Sequence, residues 1–245
     1  MTTAELKKLA TKFRIEALWA VHKASAGHAT TSMSAMEILV ALYYGEIDGK
    51  KILNIDPKKP DWAGRDYFIL SKGHGCPALY VILAELGFFP REELNHLRQV
   101  NSLLEGHPVR KIPGIEATTG PLGQGISFGN GIALALKLDK KPNRVYVLCG
   151  DGELQEGQIW ESLQPAANQQ MSEITVIIDH NKLQSDIEVK HVSDLGDLEN
   201  KFRAFRWEVF RVNGHDFAQI QKALVDARAI RDKPQIIIAD TVKGY

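Results

Sequence analysis

The chain has 245 residues, 44% of them hydrophobic, and its 30 basic side chains are matched by 30 acidic ones. This length and composition suit one large α/β domain spanning residues 1–245, while the neutral balance gives no field to hold nucleic acid or an anionic membrane. With no apolar run long enough to cross a membrane and an amino terminus, MTTAELKKLATKF, that lacks a signal-like stretch, a soluble cytoplasmic protein is expected.

Leu6, Leu9, Phe13, Ala17, Leu18 and Val21 fall at helical spacing and predict an amphipathic helix over Thr3 to Ala24, ending before Gly27. A second helix is predicted to start at Ser34-Ala35-Met36-Glu37, which reads as a capping box ahead of Ile38, Leu39, Leu42 and Tyr43. Asp48 to Gly64, with Pro57, Pro60 and repeated lysines, reads as a surface loop. Asp66 to Leu70 then predicts a strand, Ser71-Lys72-Gly73-His74-Gly75 a glycine turn, and Pro77 to Leu86 a helix.

The same order recurs at Val145 to Cys149, followed by Gly150-Asp151-Gly152 and a helical pattern holding Ile159, Trp160, Leu163 and Ala166. Ile174 to Ile178 is a further strand, as are Trp207 to Val212 and Gln235 to Ala239, with Asp216 capping a helix near Phe217 to Ile230. Strands alternating with helices imply a doubly wound, mostly parallel sheet with helices on both faces, whose ligands gather at the carboxyl ends of strands. Cys76 and Cys149 are too few and too differently placed for a disulfide framework or a cysteine zinc site, and are expected as reduced thiols.

Gly150-Asp151-Gly152 ends one strand, and Asn181 lies 30 residues beyond Asp151, past the next. In a parallel sheet consecutive strand ends are neighbours, so the Asp151 carboxylate and the Asn181 amide oxygen can converge on one hard cation, with diphosphate oxygens completing its shell. Gly150 and Gly152 would allow a tight turn and close approach of amides to phosphate, with the positive end of the following helix behind them. Asp151 is expected to face solvent, so that its loss would spare the fold. Lys72 and Arg14 read as solvated charges. His22, His96, His180, His191 and His215 read as surface or packing residues. Gly120 to Gly125 does not spell a dinucleotide fingerprint, and no Walker phosphate loop is present.

Gly150-Asp151-Gly152 through His180-Asn181 resembles the metal-diphosphate motif of thiamine diphosphate enzymes. Ser25-Ala26-Gly27-His28, Ser71 to Gly75, Thr118-Thr119-Gly120-Pro121-Leu122-Gly123-Gln124-Gly125 and Gly150 to Gly157 resemble successive transketolase blocks in the right order. The resemblance implies that Asp151, Asn181 and the Leu183 carbonyl bind Mg²⁺, or Ca²⁺ or Mn²⁺ in its place. It likewise implies that His74 and the Gly152 amide contact the diphosphate of thiamine diphosphate, that Gly120 and Leu122 flank its rings, and that His28 and His107 face the donor's hydroxyl groups. Glu156 matches a family glutamate at the contact between subunits.

Family members activate the cofactor with a glutamate from a separate pyrimidine-binding domain, which is expected to lie on another chain. The resemblance is therefore to the amino-terminal subunit of a split transketolase. It implies a partner subunit carrying that domain, an α2β2 heterotetramer, and transfer of a two-carbon ketol unit from a ketose donor, expected as its phosphate, to an aldose acceptor. Related enzymes that decarboxylate 2-oxo acids or form a deoxyketose phosphate share the same diphosphate site, and a noncatalytic scaffold would share the fold.

Two loops depart from the family pattern. Gly27-His28-Ala29-Thr30 stands in place of Gly-His-Pro-Gly, and Ser185-Asp186-Ile187 in place of Ile-Asp-Gly. Family members also continue past the position of Tyr245 into a loop with another diphosphate-facing histidine.

Overall fold

The structure is a computed structural model that describes residues 1–47 and 49–245. Asp48, the first residue of the predicted surface loop, lies outside the described residues. Helix α1 (Thr3–Ala24) opens with a full capping box between Thr2 and Glu5 and closes at Ser25 in the left-handed conformation. Its core face is Leu6, Ala10, Phe13, Ala17 and Ala20. Leu18, expected inside, is 46% exposed, because the buried stripe follows the small alanines one step round the helix.

Helices α2 (Ala29–Ser34) and α3 (Met36–Tyr44) follow. The expected capping box at Ser34 is absent: Ser34 ends α2, Ala35 makes no side-chain cap, and both polar residues serve tertiary contacts instead. Ser34 Oγ donates to Asp179 Oδ2 at 2.6 Å, and Glu37 pairs with Arg14 and with His215. Strands β1 (Glu46–Ile47) and β2 (Lys50–Lys51) form a small antiparallel ribbon. The following loop is surface only in part, since Ile52 and Leu53 are buried in the core.

Strand β3 (Tyr67–Leu70) leads through a 3-10 turn to α4 (Cys76–Leu86), with Pro77 in its first turn. Residues 76–84 are all buried, so α4 is a core helix rather than an amphipathic one. Next come α5 (Gly125–Leu138), β4 (Val145–Gly150), a 3-10 turn at Gly152–Gln155, α6 (Gly157–Asn168) and β5 (Ile174–His180). The ribbon β6 (Leu183–Gln184) with β7 (Ile187–Glu188), then α7 (Val189–Val192) and α8 (Leu198–Ala204), precede β8 (Glu208–Asn213), α9 (Phe217–Ala229) and β9 (Gln235–Asp240). Asp216 caps α9 as expected, accepting from the amides of Ala218 and Gln219.

Helix α5 is not anticipated by the residue pattern, because Gly125, Gly129 and Gly131 resemble loop residues. Packing explains Gly129: a Cβ there would stand 2.7 Å from Val147 Cγ2 and 2.9 Å from Ile174 Cδ1, so only a bare backbone lets α5 lie this close to the sheet.

The five-stranded sheet runs β3-β4-β5-β9-β8, all parallel. Its residues alternate between two cores. Phe68, Leu70, Tyr146, Leu148, Ile177 and Ile237 pack with α1, α3, α4 and α9 on one face. Val145, Val147, Cys149, Val176, Ile178, Ile236 and Ile238 pack with α5, α6 and α8 on the other. Each fully buried aliphatic or aromatic side chain contributes about 1.5–3 kcal/mol, which is why strands covered on both faces read as unbroken apolar runs. Among the described residues no helix is long and apolar enough to cross a membrane, and Cys76 and Cys149 are both free and buried.

Candidate active site

The carboxyl ends of β3, β4 and β5 meet the loops in a cleft of about 350 Å³. His28, His74, His107, Gly120, Leu122, Gly150, Asp151, Gly152, Asn181 and Leu183 all line it. Glu156 does not: it is exposed at the start of α6, outside the cleft.

Strand register builds the centre of the site. Gly150 pairs with Asp179, and the Asp151 amide donates to the Asp179 carbonyl at 3.3 Å, so the residues just beyond the two strands are neighbours. The Asp151 carboxylate clamps both turns, Oδ1 accepting from the Gly152 amide at 2.8 Å and Oδ2 from the Lys182 amide. Asp151 is only 2% exposed, contrary to the expectation of a solvent-facing ligand, and burial raises its pKa despite the two amides. Asn181 Oδ1 accepts from the Leu183 amide at 3.0 Å. Among the described residues no three His, Cys, Asp or Glu side chains gather as a metal site. One carboxylate, one amide oxygen and one carbonyl are hard donors but too few for a cation, so this set fits a Mg²⁺ that brings phosphate oxygens with it.

Neither Gly150 nor Gly152 adopts a positive φ, so the turn does not need their backbone freedom. Space matters at Gly152, where a Cβ would come within 3.2 Å of Gln184 Cγ, whereas one on Gly150 would make only ordinary contact with Lys72. The helix expected directly behind the diphosphate is also displaced: the 3-10 turn Gly152–Gln155 intervenes before α6.

The turn after β3 brings in the histidines. A Cβ on Gly73 would lie 2.9 Å from Thr119 Oγ1 and 3.0 Å from the Gly120 nitrogen, so glycine allows this turn to press against the Gly120 loop. Thr119 Oγ1 in turn donates to the Leu70 carbonyl at 2.7 Å. The rings of His28 and His74 meet edge to face with centroids 5.1 Å apart. Burial, with Lys72, His28 and His107 nearby, pulls the His74 pKa down to about 3. Burial and Arg98 lower that of His107. A neutral His74 can donate one N–H to a phosphate oxygen without adding charge.

Three residues of this site escape sequence reading. Lys72, read as solvated, is 1% exposed; its Nζ bonds Asp179 Oδ2 and lies 3.2 Å from both the Thr31 carbonyl and Thr31 Oγ1. Arg14, also read as solvated, is tied to Glu37 and does not line the cleft. Glu153, 2% exposed, accepts from the amides of Gly123 at 2.8 Å and Gly150 at 3.0 Å and from Ser71 Oγ, so it binds three cleft loops together. Asp179, fully buried, would be pushed up by burial, but Lys72 and the Ser34 and Thr241 hydroxyls hold its pKa below the ordinary value.

A larger cleft of about 760 Å³ opens on the far side of residues 180–183. Its lysines and arginines are paired with carboxylates: Lys182 and Arg211 share Asp240, Lys190 meets Glu188, and Arg203 meets Glu199.

Residues 6–245 match the family described as transketolase, thiamine diphosphate binding domain. The chain belongs to the transketolase family. It is 40% identical over 241 residues to a 6-deoxy-6-sulfo-D-fructose transketolase subunit, SqwG, of Clostridium sp. (strain MSTE9), covering 98% of this chain and 86% of that one. It is 38% identical over 224 residues to an apulose-4-phosphate transketolase subunit of Phocaeicola vulgatus, covering 91% and 78%. The crystal structure of Campylobacter jejuni transketolase superimposes with a TM-score of 0.91 at 33% identity, covering 98% of this chain but 38% of that one. The chain thus has the extent of the subunit-type transketolases and spans little more than a third of a solved transketolase. By family it is a transferase subunit of the transketolase type.

Proposed function

We propose that this chain is the diphosphate-holding, amino-terminal subunit of a two-chain transketolase. With a partner supplying the pyrimidine-binding domain, it transfers a two-carbon ketol unit from a ketose phosphate to an aldose acceptor. The observation that carries this reading is the convergence of Asp151 and Asn181 with His28, His74 and His107 on one cleft. Asp151, Asn181 and the Leu183 carbonyl would hold Mg²⁺, while neutral His74 donates to the diphosphate and Gly120 and Leu122 border the rings. When bound, thiamine diphosphate supplies the electron sink for breaking the bond beside the ketose carbonyl. His28 and His107 hold donor hydroxyl groups by hydrogen bonds and can exchange protons with them.

Exposed Glu156 is suited to a contact between subunits, consistent with an α2β2 assembly. The two subunit-type relatives bear names of a sulfo-sugar and a sugar phosphate, which supports a donor with an anionic substituent. Two free, buried thiols suit a reducing cytoplasm.

The test is the ketol-transfer rate from a ketose phosphate to an aldose phosphate, with thiamine diphosphate and Mg²⁺, for the chain alone, the candidate partner alone and their mixture. Turnover in the mixture only is the expected result. Turnover by this chain alone, or none in a mixture that binds the cofactor, contradicts the reading.

A further inference from the structure

Asp179 stands two residues before Asn181 and is 0% exposed, yet its carboxylate gathers side chains from four parts of the chain. Oδ2 accepts from Ser34 Oγ at 2.6 Å, from Lys72 Nζ, and from Asn181 Nδ2 at 3.4 Å. Oδ1 accepts from Thr241 Oγ1. Lys72 is fixed from its other side by Thr31, so the carboxylate cannot drift with it.

A carboxylate only accepts, and a backbone amide only donates. Turning the Asn181 side chain over would set its Oδ1 against Asp179 Oδ2 and its Nδ2 against the Leu183 N–H. Both contacts would then be between like groups. In the observed orientation the NH₂ is held toward the buried carboxylate and the oxygen lies toward Leu183 and the cleft. Oδ1 commits one lone pair to the Leu183 amide and keeps the other for a cation.

We propose that Asp179, anchored by Lys72, is a positioning residue that selects which end of the Asn181 amide faces the cation site. The inference rests on the reading of Asp151 and Asn181 as cation ligands. Asp179 itself touches neither cation nor diphosphate. Neutralising it leaves only the Leu183 amide to favour the observed orientation, so the side chain presents its NH₂, which repels a cation, more of the time.

The test uses the full chain with thiamine diphosphate present and Mn²⁺ as the probe, its free concentration read by electron paramagnetic resonance. Lys72→Met with Asp179→Asn removes both charges together, so no unpaired ion is left in the core. This pair is expected to weaken Mn²⁺ binding by roughly 10- to 100-fold, the usual effect of losing an outer partner of a ligand. The same pair is then made in an Asn181→Asp background, where both ends of residue 181 are oxygens and orientation no longer matters. There the loss should fall below about threefold, and the drop in unfolding temperature should be smaller, because removing the Asp179 charge also relieves its repulsion with the carboxylate at 181.

If the paired variant does not fold, Ser34→Ala loosens the carboxylate without removing charge. A loss of about threefold, again absent with Asn181→Asp, is expected from it. Equal losses in both backgrounds, or no loss in either, would show that Asp179 merely holds the fold. If the unaltered chain binds no Mn²⁺ with thiamine diphosphate, the cation reading itself fails.

Discussion

Asp151→Ala is expected to weaken Mg²⁺-dependent thiamine diphosphate binding by at least about 100-fold, beyond the range seen when only an outer partner of a metal ligand is lost. On the proposed reading the carboxylate is the charged member of the ligand set, because Asn181 and the Leu183 carbonyl are neutral. Its removal also carries a structural cost. The amides of Gly152 and Lys182 both donate to Asp151, and each would lose its partner in a site that is 2% exposed. A buried amide left unpaired costs about 1–3 kcal/mol, so unfolding in urea should show a loss of about 2 kcal/mol or more. Calorimetric titration with and without Mg²⁺ separates the two effects. The variant's remaining affinity should be indifferent to Mg²⁺, and an affinity that still rises with Mg²⁺ as in the unaltered chain removes Asp151 from the site.

His74 gives the chain a measurable loss of stability on mild acidification. Its folded pKa lies near 3, against an ordinary value of 6.5, chiefly because burial disfavours the imidazolium. Between those values the unfolded chain binds a proton that the folded chain does not, so stability rises with pH across the window and falls on acidification. From pH 7 to pH 5 this amounts to about 2 kcal/mol, at 1.36 kcal/mol per pKa unit. Asp179, Glu37 and Asp240 are carboxyl groups held below their ordinary values, and their contributions are complete above about pH 4.5. They therefore change little in this interval. Urea unfolding at the two pH values should show His74→Asn losing about 2 kcal/mol less than the unaltered chain, and identical losses would show that His74 titrates as an ordinary histidine. The same neutral state suits its proposed role, because charge balance at the diphosphate is left to the cation.

The strands were legible because each is buried on two faces, which leaves an apolar run with little else to be. The approach of Asp151 to Asn181 was legible for a related reason: parallel neighbours end side by side, and the observed register sets Gly150 opposite Asp179. What stayed hidden depends on partners far apart in sequence. Ser34 and Glu37 mimic a helix cap but are committed to Asp179, Arg14 and His215. Lys72 looks like a solvated charge, and only the fold places it beside Asp179, 107 residues away. Glu153 sits inside the most visible motif, yet its grip on Gly123 and Ser71 requires three loops to be in place first. Helix α5 was masked by glycines whose reason lies in the sheet beneath them.

The most direct test of the site is a crystal structure of the chain with thiamine diphosphate and Mn²⁺, the cation located by its anomalous scattering. The expected result is a peak in the Asp151 cleft, beside Asp151, Asn181 and Leu183, with the diphosphate next to it. Mn²⁺ or diphosphate bound instead in the larger cleft beyond residues 180–183, with the Asp151 cleft holding only solvent, would contradict it.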